Sequence, residues 1–305
     1  MKKALIIMNM GGSRNKDELK EFLTNMFNDK NIINIKNDKC RSMLANFIVK
    51  TRLNNAWLGY KAIGGASPLH SITNKLIVKL TLKLKDYKVL SVMRYTKPNA
   101  QQCIDKLKKL NIQKVTLLSL YAQYSTTTTK SSIEEFMHLS NGKLNITTIN
   151  NFYKNDRLNK IICDEIIKRT NNASDFNLIF SAHGLPQSVI NRGDPYRIQI
   201  QEHIELIKDK LKKTNTKFET ISLAYQSKVG PAAWLTPSLN DALIKYKNKK
   251  VLIYPISFII DNSETIYELC VEYKLVAKKI GLKEYKVCSC PNDKDEVVDM
   301  IRNLL

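Results

Sequence analysis

The sequence predicts an α/β fold made of two similar, Rossmann-like, doubly wound domains with mostly parallel four-stranded sheets. Three observations carry this reading. Short apolar runs alternate with amphipathic stretches along the 305 residues. The runs are nearly continuous in apolar character, as in strands covered on both faces. Four runs fall in each half, which suits two domains of 1–150 and 151–305. The stretch around 293–304 is able to pack on either half.

In the first half the predicted strands are Ala4–Met8, Val89–Met93, Val115–Leu120 and a weaker one near Leu144–Ile149. In the second they are Asn177–Phe180, Glu219–Ala224, Val251–Ile256 and Tyr285–Cys288. Two helix starts are well marked. Asp194-Pro195 reads as an N-cap followed by proline at the first helical position. Asn262-Ser263-Glu264 reads as a capping residue with an acid in the first turn, and Gly281 closes the apolar stripe that follows.

Composition excludes several classes. With 43% hydrophobic and 25% charged residues the chain is globular rather than disordered. The longest apolar stretch, Val251–Ile260, is about half of the roughly 18 residues that a membrane span needs. The opening MKKALIIMNMGG has the lysines and apolar segment of a signal peptide. It is short and lacks a small-residue cleavage site, so it reads as a buried first strand and the protein as cytoplasmic. The net charge of +21 comes from scattered lysines without interleaved aromatics, so no nucleic-acid partner is expected. It does suit anionic substrates or an anionic membrane surface. The six cysteines contain no CxxC pair and read as reduced thiols.

In open α/β sheets ligands bind beyond the carboxyl ends of the strands, so the residues that follow each run are the candidates. Gly11-Gly12 lacks the remainder of any phosphate-loop motif and reads as a tight turn. No GxSxG, HExxH or acidic Mg²⁺ cluster occurs. Of the four histidines, His138 and His203 sit in helical stretches, where surface or boundary placement is the default, and His70 reads as a turn cap. His183 alone ends a strand, braced by Gly184 and Pro186. Glu264, in a helix first turn, sits where the helix dipole favours its ionised form. One imidazole and one carboxylate suit a metal that must leave, and both can pass protons.

His183, Gly184 and Pro186 lie in a block, FSAHGLPQSVINRGDPY at 180–196, that resembles the ferrochelatase signature. Further blocks of that family appear in order: NMGG, NMFND, IGGASPL, MRY, LYAQYSTTTT, YQSKVGPAAWL and PISFIIDNSETIYELCVEY. The resemblance implies two Rossmann-like halves with a porphyrin cleft between them. It implies insertion of Fe²⁺ into protoporphyrin IX, giving protohaem and two protons. On that reading His183 and Glu264 are the catalytic pair and contact the incoming iron. Met10, Phe27, Tyr95 and Trp234 match positions that line the cleft in relatives. Arg94, directly after a strand, is the best candidate to grip a propionate, and Arg52 and Ser67 match cleft-edge positions. Fe²⁺ is a substrate, no tightly bound cofactor is expected, and neither is a [2Fe–2S] cluster. Peripheral contact with the inner face of a membrane stays open. Many relatives read Asp-His-x-Glu where this chain has Asp261-Asn262-Ser263-Glu264, which leaves His183 and Glu264 as the main pair. Coproporphyrin III as substrate, another metal, or a porphyrin or haem carrier without catalysis remain the alternatives.

Overall fold

The computed structural model describes residues 3–228 and 230–305. The chain divides into two compact units, Met1–Asn151 with Asp293–Leu305, and Phe152–Asn292. In the first unit the order is β1 (Lys3–Asn9), α1 (Lys16–Phe27), α2 (Asp38–Ala62), α3 (Leu69–Lys83), β2 (Tyr87–Met93), α4 (Ala100–Lys109), β3 (Lys114–Ser119), α5 (Ser131–Ser140) and β4 (Asn145–Ile149). The second unit holds α6 (Asp156–Lys168), β5 (Phe176–His183), α7 (Gln187–Asn191), α8 (Tyr196–Lys213), β6 (Thr220–Gln226), α9 (Leu239–Ile244), β7 (Lys250–Pro255), α10 (Tyr273–Ile280) and β8 (Glu284–Val287). The chain then returns to the first unit with α11 (Asp295–Arg302).

Both sheets are parallel and four-stranded, ordered β2-β1-β3-β4 and β6-β5-β7-β8. All eight strands coincide with the apolar runs read from sequence. The reason shows in β1, where Ala4 to Asn9 are all buried. Ala4, Ile6 and Met8 point to one face and pack with Ile104, Leu107 and Phe136 of α4 and α5, while Leu5 and Ile7 are buried on the other. In the second unit Ile179, Val251, Ile253 and Leu269 form the matching cluster. Each sheet changes winding direction around its central strand, β1 or β5, so the carboxyl ends of those strands open onto the switch point.

The terminal helix, left open by the sequence, packs on α3. Val297, Met300 and Ile301 are buried, and Lys79 and Lys83 pair with Asp295 at 3.0 Å and Asp299 at 3.1 Å. Lys79 also donates to the Asp293 carbonyl at 2.7 Å.

Two helix starts differ in detail. α8 begins at Tyr196, one residue later than read, with Asp194 Oδ1 accepting from the Tyr196 N–H at 2.9 Å. The helix expected after Asn262 opens instead as a π-helix over Glu264–Glu272 and continues as α10. Asn262 caps it, its Oδ1 accepting from the Glu264 N–H at 2.8 Å. Gly281 closes it in the left-handed region, at φ 84°. His203 corrects the surface expectation. It is wholly buried, and its Nε2 donates to Asn159 Oδ1 at 2.8 Å, tying α8 to α6. Burial pushes its pKa down to about 3, so it is neutral.

Ile6→Ala removes a wholly buried side chain from the centre of the first sheet. We expect a loss of about 2–5 kcal/mol, read as a lowered urea midpoint for the first unit.

Candidate active site

β5 ends at His183, whose register partner in β6 is Gln226. The backbone of His183 is held from both sides. Its N–H donates to Ser257 Oγ at 2.9 Å, and its carbonyl accepts from the Tyr196 hydroxyl at 3.0 Å. That hydroxyl also lies 2.6 Å from Ser257 Oγ. The GDPY segment and the loop after β7 thus fix the histidine that the SAH segment presents. Gly184 turns the chain tightly: a Cβ there would meet the Gln226 carbonyl at 2.7 Å and the Trp234 ring at 3.2 Å. Any larger residue would push Trp234 or β6 aside.

The two residues singled out from sequence meet directly. His183 Nδ1 donates to Glu264 Oε2 at 2.7 Å, with side-chain exposures of 36% and 23%. Burial works against the imidazolium, yet the Glu264 carboxylate outweighs it, and the His183 pKa is raised from 6.5. Burial likewise opposes ionised Glu264, but the imidazole charge, its hydrogen bond and the Ser227 hydroxyl outweigh that, and the pKa is lowered from 4.5. The signs follow. The contribution of His183 is complete below 6.5 and fades as pH rises through the raised value. That of Glu264 is complete above 4.5 and fades as pH falls through the lowered value. The ion pair therefore spans the range between them.

Two partners were not legible in the sequence. The Ser227 N–H donates to Glu268 Oε1 at 2.8 Å, and its Oγ lies 2.6 Å from Glu268 Oε2 and 3.0 Å from Glu264 Oε2. Gln226 Nε2 adds a donor to Glu268 Oε2 at 3.2 Å. Burial and the neighbouring Glu264 charge still push Glu268 up to about 7. A second acid four residues after a candidate acid was the available signal. Among the described residues, no group of three or more His, Cys, Asp or Glu is arranged to hold a metal ion.

The other predicted residues take varied places. Trp234 is half-buried beside the histidine loop, bridged to Pro186, with its Nε1 buried and unbonded. In the first unit Met10, Phe27 and Tyr95 belong to one apolar cluster, with Phe27 and Tyr95 buried and Met10 partly so. Ser67 is buried against Gly12, and Arg52 is half-buried on α2. Arg94 is committed within its own unit. Its guanidinium donates to Ser131 Oγ at 2.8 Å, Glu135 at 2.8 Å and Asp29 at 3.1 Å. Asp29 also accepts from Tyr95 and Ser131. This network borders a polar cavity of about 290 Å³ that Asn25, Thr96 and Asn99 also line. Cys288 and Cys290 are buried.

A two-unit fold of this kind, with an imidazole–carboxylate pair at the switch point of one sheet, defines a chelatase-like protein. Two solved structures share the fold: SirB from Bacillus subtilis with Fe³⁺, TM-score 0.59 at 9% identity over 99% of this chain and 94% of that one, and the sirohydrochlorin chelatase SirB from Bacillus subtilis subspecies spizizenii in complex with cobalt, 0.57 at 10% over 99% and 93%. Sequence relatives are nearer. Proteins named ferrochelatase from Sulfurimonas denitrificans, Nitratiruptor and Helicobacter pylori are 47%, 45% and 40% identical, covering 98%, 98% and 99% of this chain and 97%, 97% and 94% of theirs. Residues 2–305 match the ferrochelatase family, and the chain belongs to it: it is a lyase that inserts a metal ion into a porphyrin.

Glu268→Gln replaces an acid whose raised pKa makes its ionised form unfavourable in the folded state. The folded protein loses stability relative to that variant as pH rises from 4.5 past about 7. At pH 8 the variant should melt about 2–4 °C higher. Below pH 4.5, where Glu268 is protonated in both states, the difference should vanish in the same thermal scan.

Proposed function

We propose that the protein inserts Fe²⁺ into protoporphyrin IX, releasing protohaem and two protons, as a step of haem biosynthesis. The observation that carries this is the His183–Glu264 contact at 2.7 Å, at the carboxyl edge of the central strand. A flat porphyrin holds two pyrrole protons on its four nitrogens. Insertion must remove both, strip water from the iron and admit the ion to the ring. Imidazole and carboxylate both bind Fe²⁺, but two such donors release it more readily than thiolates would. The iron is a substrate in transit. The incoming ion displaces the imidazolium proton of the pair to solvent; the freed imidazole of His183 and the carboxylate of Glu264 then contact the iron and take the two pyrrole protons as it enters the ring.

The apolar and aromatic side chains of Met10, Phe27, Tyr95 and Trp234 support binding of the macrocycle. Arg52 and Ser67 support its propionates. Arg94 is already bonded to Asp29 and Glu135, so its part is to fix the loop that carries Tyr95. Two propionates rather than four are the charge this set suits, which favours protoporphyrin over coproporphyrin III.

No described helix is long and apolar enough to cross a membrane. We place the protein in the cytoplasm, in peripheral contact with an anionic membrane. On α2, Met43 and Phe47 lie one turn apart and are 74% and 66% exposed. Exposed Lys39 and Lys50 flank them. Apolar side chains beside cations are what an anionic bilayer surface attracts.

Purified protein should insert Fe²⁺, or Zn²⁺ as a readout, into protoporphyrin IX faster than into coproporphyrin III. The reverse order would overturn the substrate assignment. His183→Ala and Glu264→Gln should each lower kcat by about a hundred- to ten-thousand-fold, with porphyrin binding retained. Sedimentation with phosphatidylserine vesicles should be lost in Met43→Ser/Phe47→Ser and at high salt.

A further inference from the structure

Among the described residues, Ser227 is one of six non-glycine residues with positive φ, at 65°. L-residues adopt this region at a cost, and glycine or asparagine fills it more readily. Here the turn aims two donors of one residue at one carboxylate. The N–H meets Glu268 Oε1 at 2.8 Å and the hydroxyl meets Oε2 at 2.6 Å, so both oxygens of Glu268 are held. The preceding residue reinforces the clamp. Ser181 Oγ donates to Gln226 Oε1 at 2.7 Å, which turns the amide nitrogen of Gln226 toward Glu268. The same Ser227 hydroxyl lies 3.0 Å from Glu264 Oε2, the oxygen that accepts from His183.

A hydroxyl has one hydrogen, and two carboxylate oxygens compete for it. With His183 engaged on Glu264, the hydroxyl lies within reach of both acids, at 2.6 Å from Glu268 and 3.0 Å from Glu264. The spacing of the two acids is thereby kept while the charge beside them changes.

We infer that Ser227 is a positioning residue for metal insertion, fixing Glu264 against Glu268 through one left-handed turn and one shared hydroxyl. This rests on the function proposed above.

The test compares full-length Ser227→Gly and Ser227→Ala with wild type in zinc insertion into protoporphyrin IX. Porphyrin affinity is followed by fluorescence quenching and folding by thermal melts. Glycine suits the left-handed turn, so Ser227→Gly removes the hydroxyl without adding backbone strain. We expect kcat to fall about ten- to a hundredfold in both variants, with KM and porphyrin Kd within twofold and a cooperative melt. Wild-type kcat in Ser227→Gly overturns the inference, as does a loss confined to Ser227→Ala. Loss of the melt in Ser227→Gly, or a matching rise in its KM, would make the residue structural or substrate-binding and overturn it too. If wild-type protein inserts no metal into either porphyrin, the proposed function fails instead.

Discussion

A carboxylate withdrawn from water stays ionised only if donors replace the water. Glu264 has an imidazole at 2.7 Å and a hydroxyl at 3.0 Å, and the surrounding architecture serves to bring these together. His183 arrives on the central strand of a sheet buried on both faces. Tyr196 and Ser257 grip its backbone, Asn262 caps the turn that carries Glu264, and Gly184 lets the strand end bend beside Trp234. Each of these supports concerns direction rather than affinity. An imidazole that could swing would lose its carboxylate and titrate as an ordinary surface histidine.

The two units repeat one strand order but use their strand ends differently. In the first, Arg94 after β2 is bound to Asp29 and Glu135, and three hydroxyl or guanidinium donors converge on Asp29. The charges there are internally satisfied apart from one buried Glu135 oxygen. In the second unit the pair after β5 and β7 keeps part of its surface open, and a further acid sits beside it with a raised pKa. The first arrangement holds a loop in place; the second sets two acids side by side against one imidazole.

Much of this was readable from residues alone. Strands such as Ala4–Met8 and Val251–Ile256 declare themselves because a doubly covered strand must be apolar throughout. His183 declared itself by ending such a strand between small and stiff residues. Ser227 and Glu268 did not. A serine in a loop carries no mark of a left-handed backbone, and the residue pattern of Glu264–Glu272 fits an α-turn as well as the π-turn that forms. His203 misled because a helical histidine is usually wet, and its partner Asn159 lies on a different helix. The partners of Arg94 were not legible either, because Asp29 and Glu135, which hold its guanidinium, are distant from it in sequence.

The return of α11 to the first unit has a consequence for how the chain is made. Residues up to Asn151 leave the ribosome before the second unit, but the helix that seals α3 is translated after it. At about 5–20 residues per second, the nascent first unit waits seconds with the α3 surface uncovered while its partner is synthesised. The paired lysines at 79 and 83 keep that waiting surface charged until the aspartates that match them emerge.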